Sequence, residues 1–178
     1  MKVKMNYFEF YDIPISFIPD EAALRKTFYA NSKKYHPDFF TLASEEEQAK
    51  VLELSTLNNE AFKTLSDRDL RMKYILQLKG AMAEEGQNKL PQGFLMEMMD
   101  INEGLMELEF DYDKAAHQKV ETELNALEQS LLDDIMPVLE GYEAAAADAG
   151  VLEAVKAYYF KMRYLLRIRE NLDKFASL

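Results

Sequence analysis

The sequence predicts an all-α protein in two helical parts, an N-terminal one with a helical hairpin and a C-terminal three-helix bundle. Three observations carry that expectation. Apolar residues recur at three- and four-residue spacing almost throughout, with no useful length of strand-like alternation. Gly80, Gly86, Asn88, Pro91 and Gly93 fall close together and give one stretch the composition of a linker. The charge is partitioned as well: residues 1–80 hold 12 Lys/Arg and 12 Asp/Glu, whereas residues 81–178 hold 9 and 20. The expected division is therefore residues 1–80, a linker at 81–93, and a second part at 94–178.

The elements follow in order. Tyr7, Phe8 and Tyr11 mark a short aromatic helix that Pro14 is expected to end. Pro19-Asp20-Glu21 supplies a capping carboxylate followed by an acid in the first turn. Leu24, Phe28 and Tyr35 then form an inner face, with Arg25, Lys26, Lys33 and Lys34 pointing outward. His36-Pro37-Asp38 breaks that helix, and Ser44 before Glu45, Glu46 and Glu47 opens the next. Leu54, Leu57, Ala61, Phe62 and Leu65 give it an apolar face, Ser66-Asp67 interrupts it, and a closing helix runs from about Arg68 to Lys79. Beyond the linker, helices are expected at 94–110, 112–147 and 151–176, with Pro137 kinking the middle one and Ala144–Ala147 with Gly150 turning the chain. Three helices with short loops make a bundle.

Composition narrows the chemistry. The 178 residues are 48% hydrophobic and 30% charged, which suits a folded chain. There is no cysteine, so disulfides, thiolate metal sites and thiol nucleophiles are excluded together. A net charge of −11 argues against general nucleic-acid binding. No apolar run is long enough to span a bilayer, and Met1 to Tyr11 has none resembling a leader. The expectation is a monomeric cytoplasmic protein with no cofactor and no membrane partner. A metal role for His36 is remote, because His117 is the only other histidine.

His36-Pro37-Asp38 carries little information as a tripeptide, but its setting carries more. It follows a basic amphipathic helix ending in Lys33-Lys34-Tyr35 and precedes a loop and the helix bearing Leu57-Asn58-Asn59-Glu60-Ala61-Phe62-Lys63-Thr64-Leu65. Residues 5–80 resemble a J domain. Asn6-Tyr7-Phe8-Glu9, Thr56 to Leu65, and Arg71 to Gly80 are similar to the HscB family of iron–sulfur co-chaperones. Phe94-Leu95-Met96-Glu97 and Lys161-Met162-Arg163-Tyr164-Leu165 are similar to the C-terminal domain of the same family, so the likeness is nearly full length. Two positions depart from the J-domain pattern: Asn31 stands where an apolar residue is usual, and Phe39 where a basic one is common.

The resemblance implies a co-chaperone rather than an enzyme. It would bind an iron–sulfur cluster scaffold protein, deliver it to a DnaK/HscA-type heat-shock chaperone and stimulate that chaperone's ATPase. It implies a chaperone-binding set of His36, Pro37, Asp38, Arg25, Lys26, Lys33 and Lys34. The residue types suit this role. A basic helix face steers onto an acidic partner, Asp38 can pair with a partner arginine, and Pro37 fixes φ. The resemblance also implies a scaffold-binding set of Leu95, Met96, Met99, Asp100, Glu103, Glu107 and Tyr164.

Helical periodicity bears on the second set independently. At about 100° per residue from Leu95, Phe94, Met98, Ile101, Leu105 and Leu108 fall at roughly 220–300°, the expected core stripe. Leu95, Met96, Met99 and Met106 fall at roughly 0–100°, with Asp100, Glu103 and Glu107 at roughly 80–140°. A second apolar stripe edged with acid is the pattern of an exposed protein-binding patch, the alternative being that the third helix covers it. Two other functions compete. One is a J protein with a different client. The other is an enzyme using His36 and Asp38 as an acid–base pair, for which the sequence supplies no nucleophile, metal cluster or phosphate loop.

Overall fold

In the computed structural model, residues 5–82, 90–142 and 149–175 are described. Among them every regular element is helical. They divide into two compact units: the residues up to Leu78 with Tyr142 form one, and the remainder form the other. Part of the expected linker (83–89) and the whole Ala144–Ala147 run of the expected turn lie outside the described residues, while Gly150, expected in that turn, lies in the first turn of a helix that starts at Ala149.

The first unit opens with α1 (Tyr7–Tyr11). Asn6 and Glu9 cap each other's backbone N–H groups, giving five residues a defined start. Its end is set by Asp12, which takes a left-handed conformation (φ 54°) and donates its N–H to Glu9, two residues before the expected stop at Pro14. Aspartate tolerates this region better than most side chains. α2 (Glu21–Lys34) is capped by Asp20, whose carboxylate accepts the N–H groups of Ala22 and Ala23. A 3-10 turn (Pro37–Phe40) leads to α3 (Glu45–Ser66), which begins with a Ser44/Glu47 capping box. α4 (Arg68–Leu78) follows, and Gly80 takes the positive φ (66°) that suits glycine just past a helix end.

α2 and α3 form an antiparallel hairpin. Phe28 stacks on Phe62 at 4.3 Å between centroids, and Ser32 accepts from Asn58 further along. Leu24, Ala61 and Leu65 are buried as expected, whereas Leu54, Leu57 and Phe62 are only half-buried. The inner face also holds a polar residue that apolar periodicity does not find. Asn58 is 1% exposed. It accepts the Tyr11 hydroxyl at 3.0 Å and donates to the Phe28 carbonyl and Ser32 Oγ, both at 3.1 Å, so α1, α2 and α3 share one amide. Burial pushes the Tyr11 hydroxyl pKa well above the ordinary tyrosine value. Arg71 is buried too. Its guanidinium donates to the Phe17 carbonyl at 3.0 Å and to the Leu65 carbonyl, closing the end of α3. Desolvation lowers its pKa, opposed by Glu21 and Asp67.

The second unit contains α5 (Gln92–Glu97), α6 (Met99–Phe110), α7 (Lys114–Glu140) and α8 (Ala149–Phe175). The single helix expected at 94–110 is therefore two, broken at Met98, where ψ is −7°. The Asn102 N–H still reaches the Met98 carbonyl at 2.9 Å, and Phe94, Met98, Ile101 and Leu108 all remain buried across the break. The break is thus a local tightening that leaves the expected core stripe facing inward, though Leu105 is only half-buried. α7 starts two residues later than expected, because Asp113 caps it by accepting the Ala116 N–H at 2.7 Å. It ends well short of 147, at Gly141, whose N–H bonds the Pro137 carbonyl; Pro137 itself stays inside the helix. Val120, Leu124, Leu131, Ile135 and Leu139 of α7 and Val155, Leu165, Ile168 and Leu172 of α8 complete the core. A fork from Arg169 to Glu128 (2.8 Å) and Asn125 (2.7 Å) joins the two long helices on the outside.

Candidate functional site

The His36–Asp38 loop closes the α2–α3 hairpin and faces solvent. His36 is the N-cap of the 3-10 turn, and its Nδ1 accepts the Asp38 N–H at 3.3 Å. A neutral ring with Nδ1 accepting carries its proton on Nε2, the nitrogen left for a partner. Pro37 occupies the first turn position, where no N–H is needed. The Asp38 carboxylate is exposed, with Oδ2 3.7 Å from His36 Nδ1. The turn is tied down behind the motif: Phe39 N–H bonds the His36 carbonyl at 3.1 Å, and the Gln48 amide donates to the carbonyls of Ala43 (2.9 Å) and Thr41 (3.3 Å). The motif is therefore presented on a fixed backbone.

Arg25, Lys26, Lys33 and Lys34 are all exposed on α2. Arg25 pairs with Glu21 at 3.3 Å, and Lys34 sits over the Tyr35 ring at 5.0 Å. At about 100° per residue, Arg25, Lys26 and Lys33 share one arc and Lys34 lies about 180° from Arg25. The first three thus form a patch, while Lys34 lies off it, near the loop end of the helix. Sequence reasoning missed Tyr29, exposed on that same arc one turn after Arg25. A tyrosine among basic residues carries a legible signal, since an outward aromatic is worth singling out on an otherwise charged face.

The second candidate surface lies on α5 and α6. Leu95 is 44% exposed, Met96 65% and Met99 64%, so all three stay open to solvent, Leu95 the least. Asp100, Glu103 and Glu107 are exposed beside them and line a groove of about 300 Å³ between α6 and α7, with Lys119 and Glu123 on the far wall. Tyr164 reaches this region from α8. Its hydroxyl lies 3.2 Å from Asn102 Nδ2, and its ring meets Phe94 edge-on at 5.9 Å. It is half-buried, and these two contacts hold α8 to α5 and α6. Met106, expected in the stripe, is exposed as well, and the stripe runs on beyond it to Phe110, which is 94% exposed. Phe110 lies eleven residues after Met99, close to three full turns, and falls on the same face. Among the described residues no group of three or more His, Cys, Asp or Glu could hold a metal ion, and no helix is long and apolar enough to cross a membrane.

A short helix, a basic helix, an exposed His-Pro-Asp turn, a long antiparallel partner helix and a closing helix together define a J domain, the class of co-chaperones. The second unit identifies the branch. Residues 90–173 match the family model described as the HSCB C-terminal oligomerisation domain. The chain is 35% identical over 172 residues to the co-chaperone protein HscB homolog of Vibrio cholerae serotype O1, covering 96% of each. It is 32% identical over 168 residues to the human iron-sulfur cluster co-chaperone protein HscB, covering 94% of this chain and 67% of that one. The crystal structure of the human co-chaperone protein HscB superposes with a TM-score of 0.75 at 30% identity, over 97% of this chain and 83% of that one. The chaperone HscB from Vibrio cholerae gives a TM-score of 0.70 at 26% identity, over 97% and 98%. The chain belongs to the HscB family of iron–sulfur cluster co-chaperones.

Proposed function

We propose that this protein binds an iron–sulfur cluster scaffold protein through α5 and α6 and delivers it to a DnaK/HscA-type chaperone in the cytoplasm. Its His36–Asp38 loop stimulates that chaperone's ATPase. The protein does no covalent chemistry of its own. It biases the chaperone toward the state that hydrolyses ATP and grips its client. The observation that supports this reading best is the exposure of Leu95, Met96 and Met99 beside an acidic margin, in a chain that also displays the His-Pro-Asp turn. A large apolar patch is costly to leave in water unless a partner covers it.

Titration of the full chain into purified chaperone and scaffold, following ATP turnover, tests the reading. Wild type should stimulate turnover, and scaffold should add to the stimulation. His36→Gln should keep the helical spectrum and melting temperature, because the side chain is exposed and its hydrogen bond with Asp38 N–H lies within the turn itself. It should abolish stimulation. Full stimulation by a folded His36→Gln protein would refute the docking role of the loop.

A further inference from the structure

The chain displays two large exposed apolar side chains within four residues of Asp38. Phe39 is 68% exposed and Leu42 is 100% exposed. Single exposed apolar residues are ordinary on a protein surface. These two differ in being held: the Phe39 N–H is bonded to the His36 carbonyl, the Ala43 N–H to the Phe40 carbonyl at 3.0 Å, and the Gln48 amide grips the backbone on either side of Leu42. Phe39 is also inseparable from the motif. In a 3-10 turn, residues three apart eclipse, and here the Phe39 ring lies 5.5 Å from that of His36, tilted by 52°. Any partner that grips the His36 ring and the Asp38 carboxylate must cover the Phe39 ring as well.

What it covers the ring with decides the outcome. A charged or hydrogen-bonding surface placed there loses water and gains no partner, while an apolar recess gains the transfer of the ring from water. We propose that Phe39, supported by Leu42, is a specificity-determining contact to the partner chaperone, which must present an apolar recess beside the basic group that pairs with Asp38. Basic residues on α2 steer the encounter, and the apolar tip discriminates among chaperones that share the same charge pattern. This rests on the reading that the His36–Asp38 loop docks on a DnaK-type chaperone.

The test is the ATPase activity of two purified DnaK-type chaperones, one dedicated to iron–sulfur assembly and one general, each titrated with the full chain. The variants are Phe39→Lys, Phe39→Leu and Leu42→Ser. Leu42 is fully exposed, so Leu42→Ser carries little risk to folding. With the chaperone that wild type prefers, Phe39→Lys should raise the half-maximal concentration about tenfold and Leu42→Ser about threefold, while maximal stimulation is kept. Phe39→Leu should recover most of the loss. With the other chaperone the changes should be small. An unchanged half-maximal concentration for both Phe39→Lys and Leu42→Ser overturns the inference. So does a fall in maximal stimulation alone, which would mean that Phe39 only positions His36. Equal losses on both chaperones would remove its role in specificity. If wild type stimulates neither chaperone, the docking reading itself fails. If His36→Gln abolishes stimulation while the Phe39 and Leu42 variants match wild type, only the present inference fails.

Discussion

A Cβ placed on Gly104 would lie 2.6 Å from Cγ2 of Val120. α6 and α7 therefore approach at a point where only a hydrogen fits, in the lining of the groove between Glu103 and Glu107. Val120 is β-branched and helical, so its methyl cannot swing aside by changing rotamer freely.

This makes the sign of a substitution informative. Helix propensity alone predicts that Gly104→Leu stabilises α6 by roughly 0.8 kcal/mol. Overpacking against Val120 predicts a net loss of about 1–3 kcal/mol. We expect the loss, read as a lower melting temperature. Val120→Ala should partly restore it in the double variant, and a rise in melting temperature for Gly104→Leu would mean the close approach is not retained in solution.

Replacing Leu95, Met96 and Met99 by alanine together should leave the protein folded. Truncating a Leu or Met in a packed core costs about 2–5 kcal/mol each, and three such losses would unfold a small bundle. At the exposures found here the combined cost should stay below about 2 kcal/mol, while the dissociation constant for scaffold rises at least about tenfold. Calorimetry and titration on one sample separate the two. Unfolding of the triple variant would return this stripe to the core.

Stability should fall as the solution passes about pH 10, the ordinary tyrosine value. Tyr7, Tyr11 and Tyr74 all have hydroxyls whose pKa burial raises. Above that value the unfolded chain loses these protons while the native state keeps them, so the unfolded state binds fewer protons and stability declines with pH. Tyr11→Phe should cost about 1–3 kcal/mol at neutral pH, since it strips Asn58 of a buried donor, yet show a shallower alkaline decline. Melting curves at neutral pH and across the alkaline range check both parts.

A fragment of residues 1–80 should fold by itself into a helical domain and still stimulate the chaperone, without the added effect of scaffold. Leu24, Ala61, Leu65, Met72, Ile75 and Leu76, all buried in the first unit, lie within it, and of that unit's described residues only Tyr142 falls outside. A circular dichroism spectrum without helix would show that the first part depends on the second.

Helices with a continuous apolar face were legible, because Leu24, Ala61 and Leu65, or Phe94, Met98, Ile101 and Leu108, repeat at a period the chain itself displays. The exposed stripe was legible for the same reason: Leu95, Met96 and Met99 fall off the core phase, and they are exposed. What periodicity could not reach were decisions made by single polar groups. Asp12 ends α1 by taking a left-handed conformation, and a cap of that kind leaves no apolar trace. Asn58 and Arg71 occupy buried positions that a binary pattern assigns to hydrocarbon. The break at Met98 was hidden because it shifts the backbone without shifting the face. Phe110 was overlooked because it is the last residue of its helix, beyond Leu108, where the core stripe ends.

Asn58 has a consequence for how the first unit comes apart. A helix of five residues such as α1 does not persist alone in water, since its nucleus costs more than its few hydrogen bonds return. Here its end is fastened through Tyr11 to the middle of a helix of 22 residues, by the same amide that holds α2. The small helix thereby borrows the lifetime of the large one. Amide protons in α1 should exchange with solvent only as fast as the hairpin opens, not at the rate of a frayed terminus, so the slowest motion of the α2–α3 pair can be timed from a helix of five residues.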